Sequence, residues 1–411
     1  MKRLLSRLSK RISDYIIKAK TMKRRISAKY VIPAAGDPIR NGIVTFGENG
    51  VVESIGESNG DPRTMKDVEY YDGVLVPGFV NTHSHLELSY MKGVIPMHTG
   101  LPGFVECIMD TKTTFPEDEQ RKAIAAMDKL MWETGVQAIG DISNTPVSFE
   151  TKKNSNIRYI NYLEIFDVLF SYDYKEIMRQ GEDLWKVAAQ DYGLQAYITL
   201  HSPYGVSEKL FSAYAGMPHT ERLSIHFMES ADDDLLFDRR GKFWELYNRK
   251  GLEVDFIGKC CSTERVIKHI PSDRKVLLVH NTNVTDEIID HMVAAYPDLS
   301  WALCPCSNYY IEQKLPPIPL LRSKGLNLTI GTDSLSSNTR LCMVSEMKMI
   351  SENFSVPLEE LVKWVTLNGA KALGFDKEIG SFESGKTPGA VLIEGISDDL
   401  KFVDAESRRL L

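Results

Sequence analysis

The chain holds nine histidines in 411 residues, and five of them fall in one recurring setting. His83 and His85 follow the apolar run Val74-Leu-Val-Pro-Gly-Phe-Val80 in the string Asn81-Thr-His-Ser-His. His201 closes Tyr197-Ile-Thr-Leu, His226 closes Leu223-Ser-Ile, and His280 closes Val276-Leu-Leu-Val. Asp333 ends Leu326-Asn-Leu-Thr-Ile-Gly-Thr in the same way. Residues i and i+2 of a strand leave the same face, so His83 and His85 project together. Two neutral imidazoles side by side are natural ligands for a divalent transition metal. His-x-His alone fits two unrelated histidines equally well. Six polar side chains at five strand ends fit a convergent metal site better than chance placement. His98, His219, His269 and His291 fall in loops or helices and read as solvated or packing residues.

The elements that must carry these side chains are legible as runs. Strands are predicted over 74–81, 136–142, 158–165, 195–201, 222–228, 276–281, 300–304 and 326–332, each rich in β-branched and apolar residues. Amphipathic stretches between them include 117–133, 174–190 and 285–295. Eight strand–helix alternations predict an α/β protein built on a (β/α)8 TIM barrel, whose C-terminal rim would gather the histidines. A doubly wound open sheet is the alternative. No G-x-G-x-x-G follows the first strand, which weakens a dinucleotide-binding version. Short strand and turn signals occupy residues 26–73 and return in 380–411, so a small β-sandwich domain formed by both termini is expected beside a barrel over 74–379.

At this point the chain resembles the metal-dependent amidohydrolase superfamily, in its deaminase and chlorohydrolase branch. The resemblance runs from about residue 27 to 395. It is carried by Pro77-Gly-Phe-Val-Asn-Thr-His83-Ser-His85, His201-Ser-Pro-Tyr, His226-Phe-Met-Glu229-Ser, Val279-His280-Asn, Cys304-Pro-Cys-Ser307-Asn308, Gly331-Thr-Asp333-Ser, Thr366-Leu-Asn-Gly-Ala-Lys-Ala-Leu-Gly374 and Gly380-Ser-Phe-Glu-Ser-Gly-Lys. The family fold is the same barrel with a sandwich from both termini. The resemblance implies His83, His85, His226 and Asp333 as metal ligands, Glu229 as catalytic acid/base, and His280 as the residue holding the attacking water or the substrate. It implies His201 as a substrate contact. No lysine stands at the strand-four position where two-metal members carry one, so one divalent ion is expected. Zinc suits the donor set, and iron, cobalt, nickel or manganese also fit it.

The chemistry agrees with those roles. Three imidazoles and a carboxylate hold one ion and leave a place for water. The ion lowers that water's pKa and supplies a hydroxide nucleophile. Asp333 can accept the water's proton, and Glu229 can carry a proton to a leaving nitrogen or a ring nitrogen. His280 can donate a hydrogen bond to the developing oxyanion. Glu229 could instead be a surface acid, since Asp232, Asp233 and Asp234 follow it closely.

Substrate residues are read less sharply. The string His85-Leu-Glu87-Leu-Ser resembles the branch that deaminates adenine-type nucleosides with a modified 5′ side, such as aminofutalosine and S-adenosylhomocysteine deaminases. Glu87 is therefore a candidate contact to a ribose hydroxyl or base nitrogen, with pairing to Lys92 as its bland role. Phe104 stands in a loop where relatives stack an aromatic on the substrate; loop packing is its alternative. Ser307 and Asn308 follow strand seven and are candidate pocket residues. Cys306 stands where relatives often carry a basic or apolar residue, so no single member's substrate transfers directly. The expected activity is hydrolytic deamination of a purine nucleoside-type ring. Hydrolysis of an amide or halide on the same site, or a catalytically silent metal-binding scaffold, are the alternatives.

Composition bounds the rest. With 43% hydrophobic and 26% charged residues the chain is globular, and a net charge of -7 carries no nucleic-acid footprint. Residues 1–25 hold ten Lys/Arg and one acid, with Leu5, Leu8, Ile12 and Ile16 at helical spacing. This basic extension reads either as a solvated segment, or an upstream start before Met22, or as a helix on an anionic membrane. No run is long and apolar enough for stable membrane insertion. Six cysteines in a chain of this length read as reduced thiols, so a cytoplasmic setting is expected. A small-molecule substrate is the expected partner; the oligomeric state stays open, with a homodimer as the form relatives often take.

Overall fold

The computed structural model describes residues 23–168, 173–252, 254–258 and 260–411. Most of the expected basic extension, residues 1–22, lies outside the described residues. Arg24 and Arg25, placed in that extension from sequence, belong to the first strand. The chain opens with β1 (Arg24–Val31), β2 (Ile39–Arg40), β3 (Ile43–Phe46), β4 (Val52–Gly56) and β5 (Glu69–Val76). It continues through β6 (Phe79–Ser84), β7 (Val136–Ser143), β8 (Arg158–Ile165), β9 (Ala196–Leu200), β10 (Arg222–Phe227), β11 (Lys275–His280), β12 (Leu299–Leu303) and β13 (Leu328–Ile330). It closes with β14 (Val391–Ile396) and β15 (Phe402–Arg409).

The strands of the two termini share one sheet of seven, in the order β15-β14-β5-β1-β3-β4 with β2 on β1. Arg24 ties the ends together: its guanidinium donates to both carboxylate oxygens of Glu69, at 2.8 and 2.7 Å, and to the carbonyl of Leu410 at 2.7 Å. Strand alternation gives this sheet two apolar faces. Ile26, Ala28, Val44, Phe46, Leu75 and Leu392 form one core, closed by Phe382. Val74, Val76, Val391 and Ile393 enter the main core of the molecule. The expected sandwich is thus a single hydrogen-bonded sheet. The main core already covers its second face, so no separate second sheet is needed.

One predicted strand is divided. The run 74–81 is broken at Pro77-Gly78, and Val74–Val76 end β5 while Phe79 begins β6. Proline has no N–H to continue a ladder. Gly78 passes so close to the chain that a Cβ there would lie 2.5 Å from the carbonyl of Pro388. The apolar run therefore serves two sheets, and its second half carries the histidine pair.

The eight middle strands form two four-stranded parallel sheets, β6-β7-β8-β9 and β10-β11-β12-β13. Their facing edges are linked. On one side His226 N–H donates to the carbonyl of His201 at 2.9 Å. There too the Thr199 hydroxyl donates to Ser224 O at 2.7 Å and accepts from Ser224 N–H at 3.0 Å. On the other side Ser84 bridges Asp333 in parallel fashion, and the N–H groups of Thr332 and Asp333 donate to His83 O at 3.0 and 3.1 Å. Gly331 makes this approach feasible, because a Cβ there would stand 2.8 Å from the His83 carbonyl.

Helices cover the connections. They include α1 (Gly100–Thr111), α2 (Glu117–Glu133), α3 (Tyr174–Lys186), α4 (Asp286–Ala295), α5 (Pro305–Glu312) and α6 (Met343–Phe354). The acids Glu117, Asp118 and Glu119 complement the N-terminal dipole of α2, and Ile124 and Met131 are its buried stripe. α3 runs on into a π-turn over Val187–Asp191, matching the predicted length. The Thr285 hydroxyl caps α4 by accepting from Ile288 N–H at 3.3 Å. Among the described residues no helix is long and apolar enough to cross a membrane.

Candidate active site

The strand tips converge. His83 lies near the end of β6 and His85 one residue past it; their Nε2 atoms stand 3.1 Å apart. Asp333, past β13, places Oδ1 3.4 Å from His85 Nε2 and 3.7 Å from His83 Nε2. His226, from β10, completes a group with His83 and His85 whose ligand atoms all lie within 4.8 Å of one another. Two buried imidazole nitrogens facing each other at 3.1 Å need a proton or a cation between them. Ligand atoms on a tetrahedral ion with bonds of ~2.0–2.1 Å stand roughly 3.3 Å apart. The three imidazoles therefore fit a single divalent ion, and Asp333 Oδ1 is within reach of two of them.

Each of these groups is held from behind. His226 Nδ1 is 2.9 Å from the carbonyl of His201, so Nδ1 carries the proton and Nε2 keeps its lone pair for the cluster. The other carboxylate oxygen of Asp333 accepts from the hydroxyls of Ser307 at 2.6 Å and Ser337 at 2.7 Å. Leu86 N–H, next to His85, donates to Asp141 at 2.8 Å. Asp141 in turn pairs with Lys152 at 2.6 Å, and both side chains are fully buried.

Burial lowers the imidazoles: it holds His85 and His280 well below the usual range and brings His226 down to about 4. They are neutral donors of lone pairs. Burial alone would raise Asp333, but the hydrogen bond from His83 and the pull of His85 and His280 hold it well below the carboxylate range. Burial pushes Glu229 the opposite way, well above that range, reinforced by Asp333 and Asp233. The two carboxyls are thus driven in opposite directions, Glu229 toward its protonated form and Asp333 toward its ionised one. Its Oε1 lies 3.5 Å from His280 Nε2. Asn308 Nδ2 donates to His280 Nδ1 at 3.0 Å, which leaves the proton of that ring on Nε2, toward Glu229.

The backbone bends sharply here. Met228, His280, Asn281 and Asp333 all take positive φ, from 50 to 76°. Each costs about 1–2 kcal/mol relative to an ordinary conformation. Hydrogen bonds from Asn281 to Leu278 O and Ala302 O, at 2.9 and 3.1 Å, and from Asn283 to Glu229 O at 3.1 Å, hold the turns.

A cavity of about 280 Å³ opens beside the cluster. Its walls include His85, His226, Glu229, His280 and Asp333 on the reactive side. They also include Glu87, Phe104 and His201 of the expected substrate contacts. One face of α1, with Leu101, Phe104, Val105 and Ile108, lines it too, and Lys112 follows the helix end. Glu87 spends its carboxylate on the loop after β7, accepting from the N–H groups of Asn144 and Thr145 at 3.1 and 3.2 Å. It does not pair with Lys92. Ser307 and Asn308 are fully buried and off the cavity wall. The structure places them behind Asp333 and His280, because α5 begins directly at the tip of β12 and turns both side chains inward.

Several wall residues escaped the sequence reading. Glu164, near the end of β8, lines the cavity, and burial pushes it up to about 8. Asn144, Phe166 and Tyr204 line it as well. Glu164 obeys the same rule as the histidines, a polar residue at a strand tip, but Leu163 and Ile165 make it look like ordinary strand alternation. Asp141 is hidden likewise between Gly140 and Ile142.

Comparison with known proteins places the chain in context. A family model described as "Amidohydrolase family" matches residues 74–407. An adenosine deaminase of Helicobacter pylori is 25% identical over 328 residues, covering 77% of this chain and 78% of that protein. The crystal structure of Helicobacter pylori aminofutalosine deaminase in complex with methylthio-coformycin superposes with a TM-score of 0.76 at 23% identity, covering 94% of this chain and 100% of that one. A crystal structure of an adenosine deaminase from Xanthomonas campestris with bound zinc gives 0.68 at 22% identity, covering 90% and 84%. At these identities the structural likeness shows the fold.

Proposed function

The chain belongs to the amidohydrolase family and is a hydrolase acting on carbon–nitrogen bonds; from that premise we propose that it deaminates an adenosine-type nucleoside or a closely related aminated purine. The observation that carries this reading is the pairing of two unlike carboxyls at one cation-sized cluster. Asp333 is shifted well below the carboxylate range among the histidines, and Glu229 is shifted well above it beside His280. Hydrolytic deamination needs both a base for the attacking water and an acid for a ring nitrogen and the departing ammonia.

We read the two parallel sheets as halves of one closed (β/α)8 barrel, joined at His201–His226 and at His83–Asp333. In this reading the barrel begins at β6, after Pro77-Gly78, with β5 and the terminal strands in the flanking domain. His83, His85, His226 and Asp333 would hold the metal ion, and zinc is the proposed metal. When bound, the ion supplies Lewis acidity that makes water a nucleophile near neutral pH. Asp333 accepts the proton of the attacking water. Glu229 delivers a proton to the ring nitrogen next to the reacting carbon, making that carbon electrophilic. His280 Nε2–H donates a hydrogen bond to the oxygen that adds there. Phe104 and the apolar face of α1 exclude water from the ring. Six free thiols fit a cytoplasmic setting.

The test is ammonia release from a panel of purine nucleosides, free purines and pterins by zinc-loaded protein, with an amide panel in parallel. Ammonia from the nucleosides supports the reading. Turnover of amides with none from the aminated rings would reject it.

A further inference from the structure

Glu164 is 6% exposed and lines the cavity. Its Oε2 accepts from Asn144 Nδ2 at 3.1 Å, and the same amide donates to the Glu164 carbonyl at 3.1 Å, which fixes the side chain. Its Oε1 has no hydrogen-bond partner. His201 stands next to it. The Ser202 hydroxyl accepts from Gly205 N–H at 3.0 Å and lies 2.7 Å from His201 Nδ1, which engages that nitrogen and leaves Nε2 without this partner.

Ligand atoms of Glu164, His201 and His226 lie within 4.8 Å of one another, a spacing that a second cation could use. The hydrogen bonds argue against one. His226 Nδ1, which is 3.6 Å from Glu164 Oε1, is already committed to the His201 carbonyl. What remains is a hydrogen-bonding pair, a ring nitrogen and an unpartnered carboxyl oxygen, on the cavity wall. Resting on the deaminase reading above, we propose that Glu164 is a specificity-determining residue, which with His201 reads a sugar hydroxyl beside a ring nitrogen of the bound nucleoside. In an adenine nucleoside, N3 and the 2′-hydroxyl stand in that relation. A hydroxyl both donates and accepts, so it satisfies Glu164 in either protonation state. A buried polar group left without its partner rejects the analogue lacking it strongly.

The experiment compares parent, Glu164→Gln and Glu164→Ala, each zinc-loaded, with adenosine and 2′-deoxyadenosine as substrates. It also measures calorimetric binding of inosine and 2′-deoxyinosine, and zinc stoichiometry. The expected result is a parent preference for the ribose form of roughly 10- to 100-fold in kcat/KM, carried mainly by KM. In Glu164→Ala the preference falls to about one, in Glu164→Gln it is partly kept, and zinc content is unchanged in both. Equal losses for the two sugars, or no preference in the parent, overturn the assignment, as does loss of zinc on substitution. Sugar discrimination in binding without ammonia release rejects the deaminase reading and keeps Glu164 as a recognition residue. Ammonia release without discrimination does the reverse, and absence of both rejects both.

Discussion

Asn308 Nδ2 stands 3.0 Å from His280 Nδ1, and this contact decides which nitrogen of the His280 ring faces Glu229 with a proton. A neutral imidazole has one donor and one acceptor nitrogen, and the partner of one sets the role of the other. Asn308→Ala leaves the ring free to choose. We expect kcat to fall on the order of 10- to 100-fold, as for removal of a positioned hydrogen bond, while metal content stays at the parent level. Metal analysis together with steady-state kinetics checks this; unchanged kcat would remove Asn308 from the site's machinery.

In the proposed site His83, His85, His226 and Asp333 hold the metal as one unit. His83→Ala and Asp333→Ala should lose bound metal and activity together, and chelation of the parent should abolish turnover that added zinc restores. Elemental analysis of the purified variants is the check, and full occupancy in either would break the ligand set.

The proposed role of Glu229 is to carry a proton and not to bind the metal. Glu229→Gln keeps the size and the Asp233 contact to its backbone N–H, at 2.8 Å. It should retain the metal and lose kcat by about 10²- to 10⁴-fold. Retained turnover would exclude the proposed role.

Glu346, in α6, lies outside the reacting cluster. It accepts from Cys306 N–H and Asn338 Nδ2, both at 2.9 Å, and burial pushes its carboxyl from 4.5 up to about 8. The folded chain therefore holds a proton here that the unfolded chain releases above its ordinary value. The stabilisation is fully present below about pH 4.5 and is lost as pH rises through about 8. Between pH 5 and 8.5 the melting temperature should fall less in Glu346→Gln than in the parent. Parallel melting curves at each pH would show that Glu346 does not titrate in this range.

The histidine rule was legible because chemistry and periodicity coincide. An apolar strand ending in a coordinating side chain is a local pattern, and it placed His83, His85, His201, His226, His280 and Asp333 before any coordinates. Ser307 and Asn308 show where local patterns stop. Their types allow substrate contact, yet the start of α5 turns them toward Asp333 and His280. Pro77-Gly78 is a further case, since a continuous apolar run reads as one strand until two sheets compete for it.

By itself, the order of residues settled which atoms can bind a cation and which strand ends carry them, because donor type and i, i+2 alternation are properties of adjacent residues. Only the tertiary structure decided the protonation of each group and the identity of the cavity wall. Both depend on burial and on partners up to hundreds of residues away, as with Glu164 against His201, Glu87 against Asn144, and Asp333 against His83. Distances of that kind are set by how the sheets close on one another and not by spacing along the chain.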